Sequence, residues 1–433
     1  MMLLIYVTHI TPRIQYVFDL FFNNIVQLHY IVTTDKEQLL QHTGPKISYT
    51  DTALADELFF KSTELLFETG TRYFELSGID AREGEIHLKG FFATANSTLP
   101  FDAFASAFYL VSRYEEYLGD DVDHHGRFHA HNSVAYQQFF LLEPMVDLYA
   151  QVVVKRIQEK FPELEVNRSA YDVLNTVDVD MAWKYHHKGV IRNIGGFFSD
   201  LFKGNLAQCV ERMQVLFGSK ADPFQSFDFL ENTAKESNIP IHFFWLLGDH
   251  GEYDKNTSVK NNPFRQLINR FKTKSGIHFS YGSHTEEKGF KEEQKRYQSI
   301  TGINATSSRF HFLKYKVDKD FPRLIEAGIR QEYSMGYAMH EGFRASIARP
   351  FLWFNLKENK TTELTIVPFM FMDASFRYHN DLKDEEIKEK IVHVMKRTKA
   401  VNGKLVTLWH NDTFEEKRND WKSIYLWFNQ IAK

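Results

Sequence analysis

From about residue 170 to the end of the chain, short apolar runs alternate with helical segments, and this alternation constrains the fold most strongly. The apolar runs cover 171–177, 241–247, 276–280, 307–312, 329–333, 364–371 and 404–409, and the helical segments cover 191–217, 224–237, 263–273, 287–299, 319–327, 383–398 and 419–431. Strands that alternate with helices form a parallel sheet, and this length suits a closed or nearly closed barrel. We therefore expect an α/β fold whose reactive residues lie at the carboxyl ends of strands.

The first 165 residues lack this alternation and predict a smaller α+β domain. The predicted elements are β runs at 3–7 and 25–33 and helices at about 12–23, 101–118 and 144–160. The sequence Phe161-Pro162-Glu163 then breaks the last of these helices. We therefore expect an accessory domain over 1–165 and the barrel over 166–433.

Charge and cysteine content narrow the function classes. The 433 residues carry 52 basic and 56 acidic side chains, a net charge of −4, which argues against a general binder of nucleic acid or anionic membranes. The single cysteine, Cys209, excludes disulfides within the chain and thiolate zinc clusters, so a metal would need His, Asp or Glu ligands. No run is long enough to span a membrane, and the N-terminus lacks the basic start of a signal peptide. We expect a cytoplasmic protein.

The first polar constellation closes the apolar run that begins at residue 171. Thr176, Asp178 and Asp180 share one face of the predicted strand, because successive side chains on a strand point to opposite faces. Two carboxylates on one face repel each other unless one binds a cation or is protonated. A strand that ends in a solvated turn is the alternative interpretation.

Two histidines follow a later strand. His278 and Ser280 share a strand face, and Gly282 permits a turn that returns His284 toward the same place. Neutral imidazoles ligate divalent metal ions, so this pair is a candidate metal site. A purely structural hydrogen-bonding role is the alternative.

Polar residues also end two further strands. Arg309 and His311 alternate with phenylalanines, and their polar face would lie at the mouth of a parallel barrel. A half-buried antiparallel strand with one wet face is the alternative. Trp409-His410 ends the last strong strand, and a histidine against an apolar wall suits a general acid whose pKa is tuned by desolvation. Another polar stretch, Gly342-Phe343-Arg344, lies between them.

Other patterns are left out of the predicted site. Residues 120–131 (DDVDHHGRFHAH) are dense in metal-binding residue types, but low apolar content and Gly126 favour a solvated loop. His186-His187 is interpreted in the same way. The sequence has no GxGxxG after a strand, no GxxxxGK[ST], no HExxH and no GxSxG, so nucleotide-binding and serine-hydrolase folds have no support.

Taken in order, the motifs resemble those of the polysaccharide deacetylase (NodB-homology) family, in a divergent branch with an extra N-terminal domain. The matching stretches are Thr176-x-Asp178-Val179-Asp180, His278-x-Ser280-Tyr281, Arg309-x-His311-x-Leu313, Gly342-Phe343-Arg344 with Pro350-Phe351, and Leu408-Trp409-His410. Residues 112–117 and Gly126-Arg127-Phe128 resemble the N-terminal domain of that branch. The resemblance implies a distorted (β/α)7 barrel and metal-dependent removal of acetyl groups from N-acetylated sugars.

The resemblance also implies roles for individual residues. The implied roles are general base for Asp178, orientation of that base for Arg344, general acid for His410, metal ligand for Asp180 and His278, and substrate contact for Arg309, Tyr281 and Trp409. The implied cofactor is a divalent metal ion, with zinc as the expected metal. The family pairs its second-motif histidines four residues apart, but this chain has Gly282 at that position. His284 is the expected third ligand, and His311 is its rival.

We therefore expect a metal-dependent hydrolase that acts on a carbohydrate and has no nucleic-acid partner. The alternative is a catalytically weak or inactive protein of the same fold that binds glycans or assists surface-polysaccharide assembly. The missing histidine at 282 and the 40 phenylalanines, 20 tyrosines and 6 tryptophans motivate this alternative. A third hypothesis is a related barrel enzyme that acts on a non-carbohydrate amide. The sequence leaves the oligomeric state open.

Overall fold

The computed structural model describes residues 2–119, 121–167, 169–284, 289–379, 382–415 and 419–433. Its N-terminal region contains the strands β1 (Leu3–Val7), β2 (Tyr30–Thr33), β3 (Lys46–Thr50), β4 (Leu58–Lys61), β5 (Ile79–Glu83) and β6 (Ile86–Gly90). The helices of this region are α1 (Pro12–Phe18), α2 (Lys36–Gln41), α3 (Ala103–Val111), α4 (Val134–Gln137) and α5 (Met145–Lys160).

The N-terminal region is built on a parallel sheet in the order β2-β1-β3-β4, and β5 and β6 form a separate antiparallel pair. Strand β3 is buried along its whole length, as expected where both faces of a parallel sheet are covered. Two elements are shorter than predicted. The run 25–33 is a strand only over β2, because a π-helical segment extends to Ile25 and Gln27 adopts left-handed backbone (φ 51°). The helix 101–118 ends as α3 at Val111, because Arg113 adopts left-handed backbone (φ 55°).

The C-terminal region carries the larger sheet. Its strands are β7 (Asp172–Val179), β8 (Ile241–Leu246), β9 (Ser275–Phe279), β10 (Ser307–Phe310), β11 (Gln331–Glu332), β12 (Phe351–Asn355), β13 (Lys360–Ile366), β14 (Phe371–Met372) and β15 (Lys404–His410). Its helices are α6 (Val190–Phe202), α7 (Leu206–Leu216), α8 (Phe227–Ser237), α9 (Asn262–Arg270), α10 (Gly289–Thr301), α11 (Val317–Glu326), α12 (Asp384–Ala400) and α13 (Trp421–Ile431). None of the described helices combines the length and apolar character needed to cross a membrane.

The nine strands of the large sheet lie in the order β12-β13-β11-β10-β9-β8-β7-β15-β14. Every neighbouring pair is parallel except the β12–β13 hairpin. This confirms the predicted α/β class with parallel strands. Among the described residues the strand pairs leave β12 and β14 as edges, so the predicted distorted (β/α)7 barrel is not confirmed. The segment after β13 nevertheless bonds to both halves of the sheet, since the N–H groups of Val367 and Met370 donate to the carbonyls of Glu332 and Val406.

The N-terminal and C-terminal regions share one continuous hydrophobic core. Buried ion pairs connect them as well. Asp147 of α5 accepts hydrogen bonds from Arg349 Nε (2.6 Å) and from the Ala348 N–H (2.7 Å). Glu116 accepts two more from the Arg344 guanidinium (2.8 and 3.0 Å). Because buried pairs are strongly destabilised when one partner is lost, these contacts fix one region against the other.

Candidate metal centre and active site

Neighbouring strands place four of the predicted site residues at one end of the large sheet. In the register of β7 and β15, Asp178 lies opposite His410. In the register of β9 and β10, His278 lies opposite Arg309. Because all four strands run in the same direction, these side chains gather at the carboxyl end of the sheet, where parallel α/β folds place their reactive groups.

Asp180, His278 and His311 form a cluster that could hold a divalent metal ion. Asp180 directly follows β7, and His311 directly follows β10. One ligand atom from each residue lies within 4.8 Å of the other two. The Oδ1 and Oδ2 atoms of Asp180 each lie 3.4 Å from an imidazole Nε2, of His278 and His311 respectively. One carboxylate with two imidazoles is a donor set of the kind that zinc takes in proteins.

Hydrogen bonds on the far side of each ring orient this cluster. His278 Nδ1 lies 3.2 Å from the Arg309 carbonyl oxygen, and His311 Nδ1 lies 2.8 Å from Asp254 Oδ1. With the proton on Nδ1, each ring presents the lone pair of Nε2 toward Asp180. Asp180 Oδ1 is buried and has no hydrogen-bond partner among the described residues, which is costly for an ionised oxygen that binds no cation. The residues present therefore fit a divalent metal.

His284, the expected third ligand, lies outside this cluster. The turn Gly282–His284 directs its ring toward α11, where His284 Nδ1 lies 3.3 Å from Asp320 Oδ2. The ring also packs against Phe310, with ring centroids 5.0 Å apart. The prediction that His284 is the third metal ligand is therefore wrong, and His311 lies in the cluster instead. His311 takes the third position because the strand before it ends beside His278.

Asp178 is buried beside the cluster, and its charge is paired with Arg309. Arg309 Nη1 donates to Asp178 Oδ1 (2.8 Å), and Arg309 Nε donates to the Tyr333 carbonyl (3.0 Å). The guanidinium also lies over the Phe244 ring, 4.7 Å from its centroid. Arg309 is fully buried beneath Asp178. Its position suits orientation of the carboxylate and not the substrate contact that the sequence led us to expect.

Arg344, expected to orient Asp178, pairs with the N-terminal region instead. Besides its two bonds to Glu116, its Nη1 donates to the Gly336 carbonyl (3.1 Å). The short chain segment that carries Arg344 packs against the α3 end of the N-terminal region, where Arg113 donates to the Arg344 carbonyl. The structure therefore places Arg309, and not Arg344, at the carboxylate of Asp178.

His410 lies across from Asp178 and is held by a buried carboxylate. Its Nδ1 and its backbone N–H each lie 2.7 Å from an oxygen of Asp373. Burial lowers the pKa of His410, but the charge and hydrogen bond of Asp373 outweigh burial and raise the pKa to about 10. The imidazole is therefore held in its protonated form, as a proton donor requires.

A cavity of about 290 Å³ opens over these groups. It is lined by Arg127, Asp178, Asp180, His278, Phe310, His311, Phe312, Leu313, Ala338, Met372, Ala374, Leu408 and His410. Trp409 does not line it, because its side chain is fully buried and packs on Tyr425 with centroids 5.0 Å apart. Tyr281 is partly exposed and lies beside the wall residue Phe312, with centroids 5.7 Å apart. Of the three predicted substrate contacts, only Tyr281 has a placement that suits the role.

Part of the cavity wall comes from the segment that was predicted, from its composition, to be a solvated loop over 120–131. Residue 120 lies outside the described residues, but 121–131 are described. Arg127 from this segment reaches the cavity, held by Asp123 Oδ2 (2.6 Å from Nε) and by the Phe312 carbonyl (3.1 Å from Nη1). His125 lies 3.4 Å from the Tyr281 hydroxyl. The N-terminal region therefore completes the site.

Sequence reasoning also missed two carboxylates that orient the imidazoles. Asp373 follows the predicted strand 364–371 by two positions, so the rule that functional residues follow strand ends could have found it. Asp254 lies eight residues beyond the end of β8, in a loop with no recognisable pattern. No sequence signal marks it.

Metal affinity is expected to rise about tenfold per pH unit between about pH 6 and 8. Burial lowers the pKa of metal-free His311, but the charges of Asp180 and Asp254 outweigh burial and raise the pKa to about 9. Below that pH a bound metal must displace the proton from Nε2, so affinity falls as pH falls. Competition titration against a chelator of known affinity measures the slope. In Asp254→Asn the rise should end at a lower pH, and an affinity independent of pH would contradict the assignment.

Comparison with known proteins gives a partial match. Residues 3–162 match a family of unknown function (DUF7033), and no curated protein matches the chain. Among solved structures, a protein described as a polysaccharide deacetylase from Mycobacterium smegmatis is 13% identical (TM-score 0.39, 61% of this chain, 84% of that chain). The PuuE allantoinase is 11% identical (TM-score 0.37, 60% and 84%), and the polysaccharide deacetylase Bc1974 from Bacillus cereus is 12% identical (TM-score 0.27, 60% and 84%). With every TM-score below 0.5, these similarities assign no family, and the chemistry has to be argued from the residues of the site.

Proposed function

We propose that this protein is a metal-dependent hydrolase that removes the acetyl group from an N-acetylated sugar. The observation that carries the proposal is the Asp180–His278–His311 cluster, with Asp178 and His410 facing the same cavity. A divalent cation held by the three ligands would polarise a carbonyl oxygen and make water more acidic. The sequence motifs support a distorted (β/α)7 barrel, with the N-terminal region as an accessory part.

Asp178 is the proposed general base. Its Oδ1 is fixed by Arg309 (2.8 Å), while Oδ2 points toward the cluster, 3.6 Å from His278 Nε2. The salt bridge from Arg309 Nη1 holds the Asp178 carboxylate in place beside the cluster. Proton transfer by a positioned carboxylate is worth about 10²- to 10⁴-fold in rate.

His410 is the proposed general acid. It is protonated at neutral pH and lines the cavity together with Asp178. Asp373 fixes the ring through Nδ1, so Nε2 is the atom available to donate a proton to the departing amine. One acid and one base on neighbouring strands thus provide both proton transfers that hydrolysis of an amide requires.

The walls of the cavity suit a small acyl group. Apart from the metal cluster, Asp178, His410 and Arg127, the lining side chains are apolar, including Met372, Leu408 and Ala374. An acetyl methyl group would bury apolar surface against them. The hypothesis of an inactive protein rested on the missing histidine at position 282 and on the high aromatic content. His311 removes the first of these reasons because it offers the third ligand.

The proposal is tested by assaying purified full-length protein for bound metal and acetate release. Acetate release from N-acetylglucosamine oligosaccharides should require near-stoichiometric zinc or a related metal, disappear with chelator and return when metal is restored. A panel of small non-carbohydrate amides tests the third hypothesis, a related enzyme that hydrolyses an amide outside carbohydrates. Sugar binding that survives chelation, without acetate release by metal-loaded protein, would contradict the proposal and favour a glycan-binding role.

A further inference from the structure

The α6–α7 hairpin, defined here as residues 188–220, presents an apolar face to solvent. Of the 22 large apolar side chains exposed among the described residues, half lie in this segment. They are Val190, Ile191, Ile194, Phe198, Leu201, Phe202, Leu206, Val210, Met213, Leu216 and Phe217. Their spacing of three or four residues places them along one stripe of each helix. Contiguous exposed apolar surface of this kind marks an interaction site.

The inner face of the hairpin carries buried polar residues beside Cys209 and Val215, whereas most of its large apolar side chains face outward. Arg212 donates to Asn193 Oδ1 (3.1 Å) and to Asp200 Oδ2 (2.7 Å) between the two helices. Glu211 accepts a hydrogen bond from the Tyr185 hydroxyl (3.0 Å). Surface helices normally turn their apolar stripe toward the core. Here the polar residues are enclosed, and the apolar stripe faces away from the protein.

The charge of the hairpin is positive, unlike that of the chain as a whole. It contains five basic residues and two acidic ones, a net charge of +3, against −4 for the whole chain. Both acidic residues, Asp200 and Glu211, are paired with basic side chains at the inner face. Arg192 and Lys203 are exposed on α6 and just after it. The overall charge balance, which argued against an anionic membrane, therefore does not describe this segment.

We propose that the hairpin docks on the surface of an anionic phospholipid bilayer, with its apolar stripe at the boundary between headgroups and acyl chains. Phenylalanines and leucines on one face with basic residues beside them are the composition of helices that lie in the membrane interface. A second copy of the chain is a poorer fit. A two-fold contact sets the same patch against itself, and two hairpins of charge +3 would repel each other.

The hairpin lies at the cavity end of the large sheet. It follows the carboxyl end of β7, the strand that carries Asp178. At its base, Lys184 Nζ donates to Glu211 (3.0 Å) and lies 3.4 Å from Glu415, a residue of the loop after β15. Docking would therefore hold the cavity end of the sheet near the lipid surface. The proposal stands on surface composition and charge, and does not depend on the proposed hydrolase activity.

Vesicle flotation of the full-length protein tests the proposal. The protein should float with vesicles of phosphatidylglycerol and phosphatidylcholine, and much less with phosphatidylcholine alone. The double variant Ile191→Asp/Phe202→Asp, at two side chains that are each 87% exposed, should lower partitioning at least about tenfold. Arg192→Gln/Lys203→Gln should lower the preference for anionic vesicles about tenfold. Phe139→Asp, at a 94% exposed phenylalanine outside the hairpin, is the matched control and should bind as wild type does.

Two results would overturn the proposal. The first is that wild-type protein does not float with anionic vesicles, or that the Ile191→Asp/Phe202→Asp variant floats as well as wild type does. The other is a wild-type dimer by light scattering that the Ile191→Asp/Phe202→Asp variant converts to monomer, with no vesicle binding by either protein. That second result would assign the apolar face to a second copy of the chain.

Discussion

Replacing Asp178 with asparagine is expected to lower kcat by about 10³-fold while leaving bound metal near the wild-type level. Asparagine keeps the size of the side chain and one oxygen toward Arg309, but it cannot take a proton from water. The three proposed ligands, Asp180, His278 and His311, are untouched. A steady-state assay of acetate release with metal analysis of the same sample measures both quantities.

Asp172→Asn is the matched control, because Asp172 lies at the opposite end of the same strand and pairs with Lys404 there. Its kcat should be unchanged. Loss of the negative charge beside buried Arg309 will also lower stability, by about 3 kcal/mol or more. Thermal unfolding therefore has to show that the Asp178→Asn sample is folded at the assay temperature. A folded, metal-loaded variant that keeps more than a tenth of the wild-type kcat would rule out Asp178 as the base.

Removing His311 should weaken metal binding at least about 100-fold, whereas removing His284 should leave metal affinity nearly unchanged. The comparison is direct, because the two imidazole side chains are each 7% exposed and each pairs with an aspartate. In His311→Ala the cluster retains one carboxylate and one imidazole. In His284→Ala the contact to Asp320 and the ring packing on Phe310 are lost, and the expected cost is about 1 to 3 kcal/mol of stability.

Competition titration against a chelator of known affinity distinguishes the two variants at a single pH. The order would be reversed if His284 moved to the metal on binding, and that outcome would invalidate the ligand set assigned here. Equal loss in both variants would point to a general disturbance of the strand ends. Thermal unfolding without metal measures how much apoprotein stability each variant loses, since His311→Ala also breaks the buried pair with Asp254.

The sequence predicted the class of the fold and the strand ends that carry the site, because both follow from local periodicity. Asp178, Asp180, His278 and His410 each lie at or directly after a strand, and parallel pairing gathers such positions. Predictions failed where a side chain depends on contacts that periodicity does not encode. The choice between His284 and His311 depends on the turn that begins at His311. In that turn Phe312 and Leu313 take left-handed backbone (φ 60° and 53°), which the sequence pattern does not indicate.

The predicted partners of Arg309 and Arg344 were also wrong. A sequence shows that Arg309 and Arg344 are present, but which one reaches a carboxylate depends on strand register and on the packing of a distant region. Arg309 lies one strand from His278, in register with it, so its guanidinium reaches Asp178. The counter-charge of Arg344 comes from Glu116, 228 positions earlier in the chain. Separation of that length leaves no local trace in either segment.

The paired arginines have a consequence for how such a chain can be divided. A fragment that starts at residue 166 would carry Arg344 and Arg349 without Glu116 and Asp147, the carboxylates that neutralise them. It would also lose the side of the cavity that Arg127 forms. Two buried arginines without counter-charges and an open cavity wall mean that the C-terminal half cannot be transplanted alone. Recombination or engineering that exchanges one half has to exchange its counterpart with it.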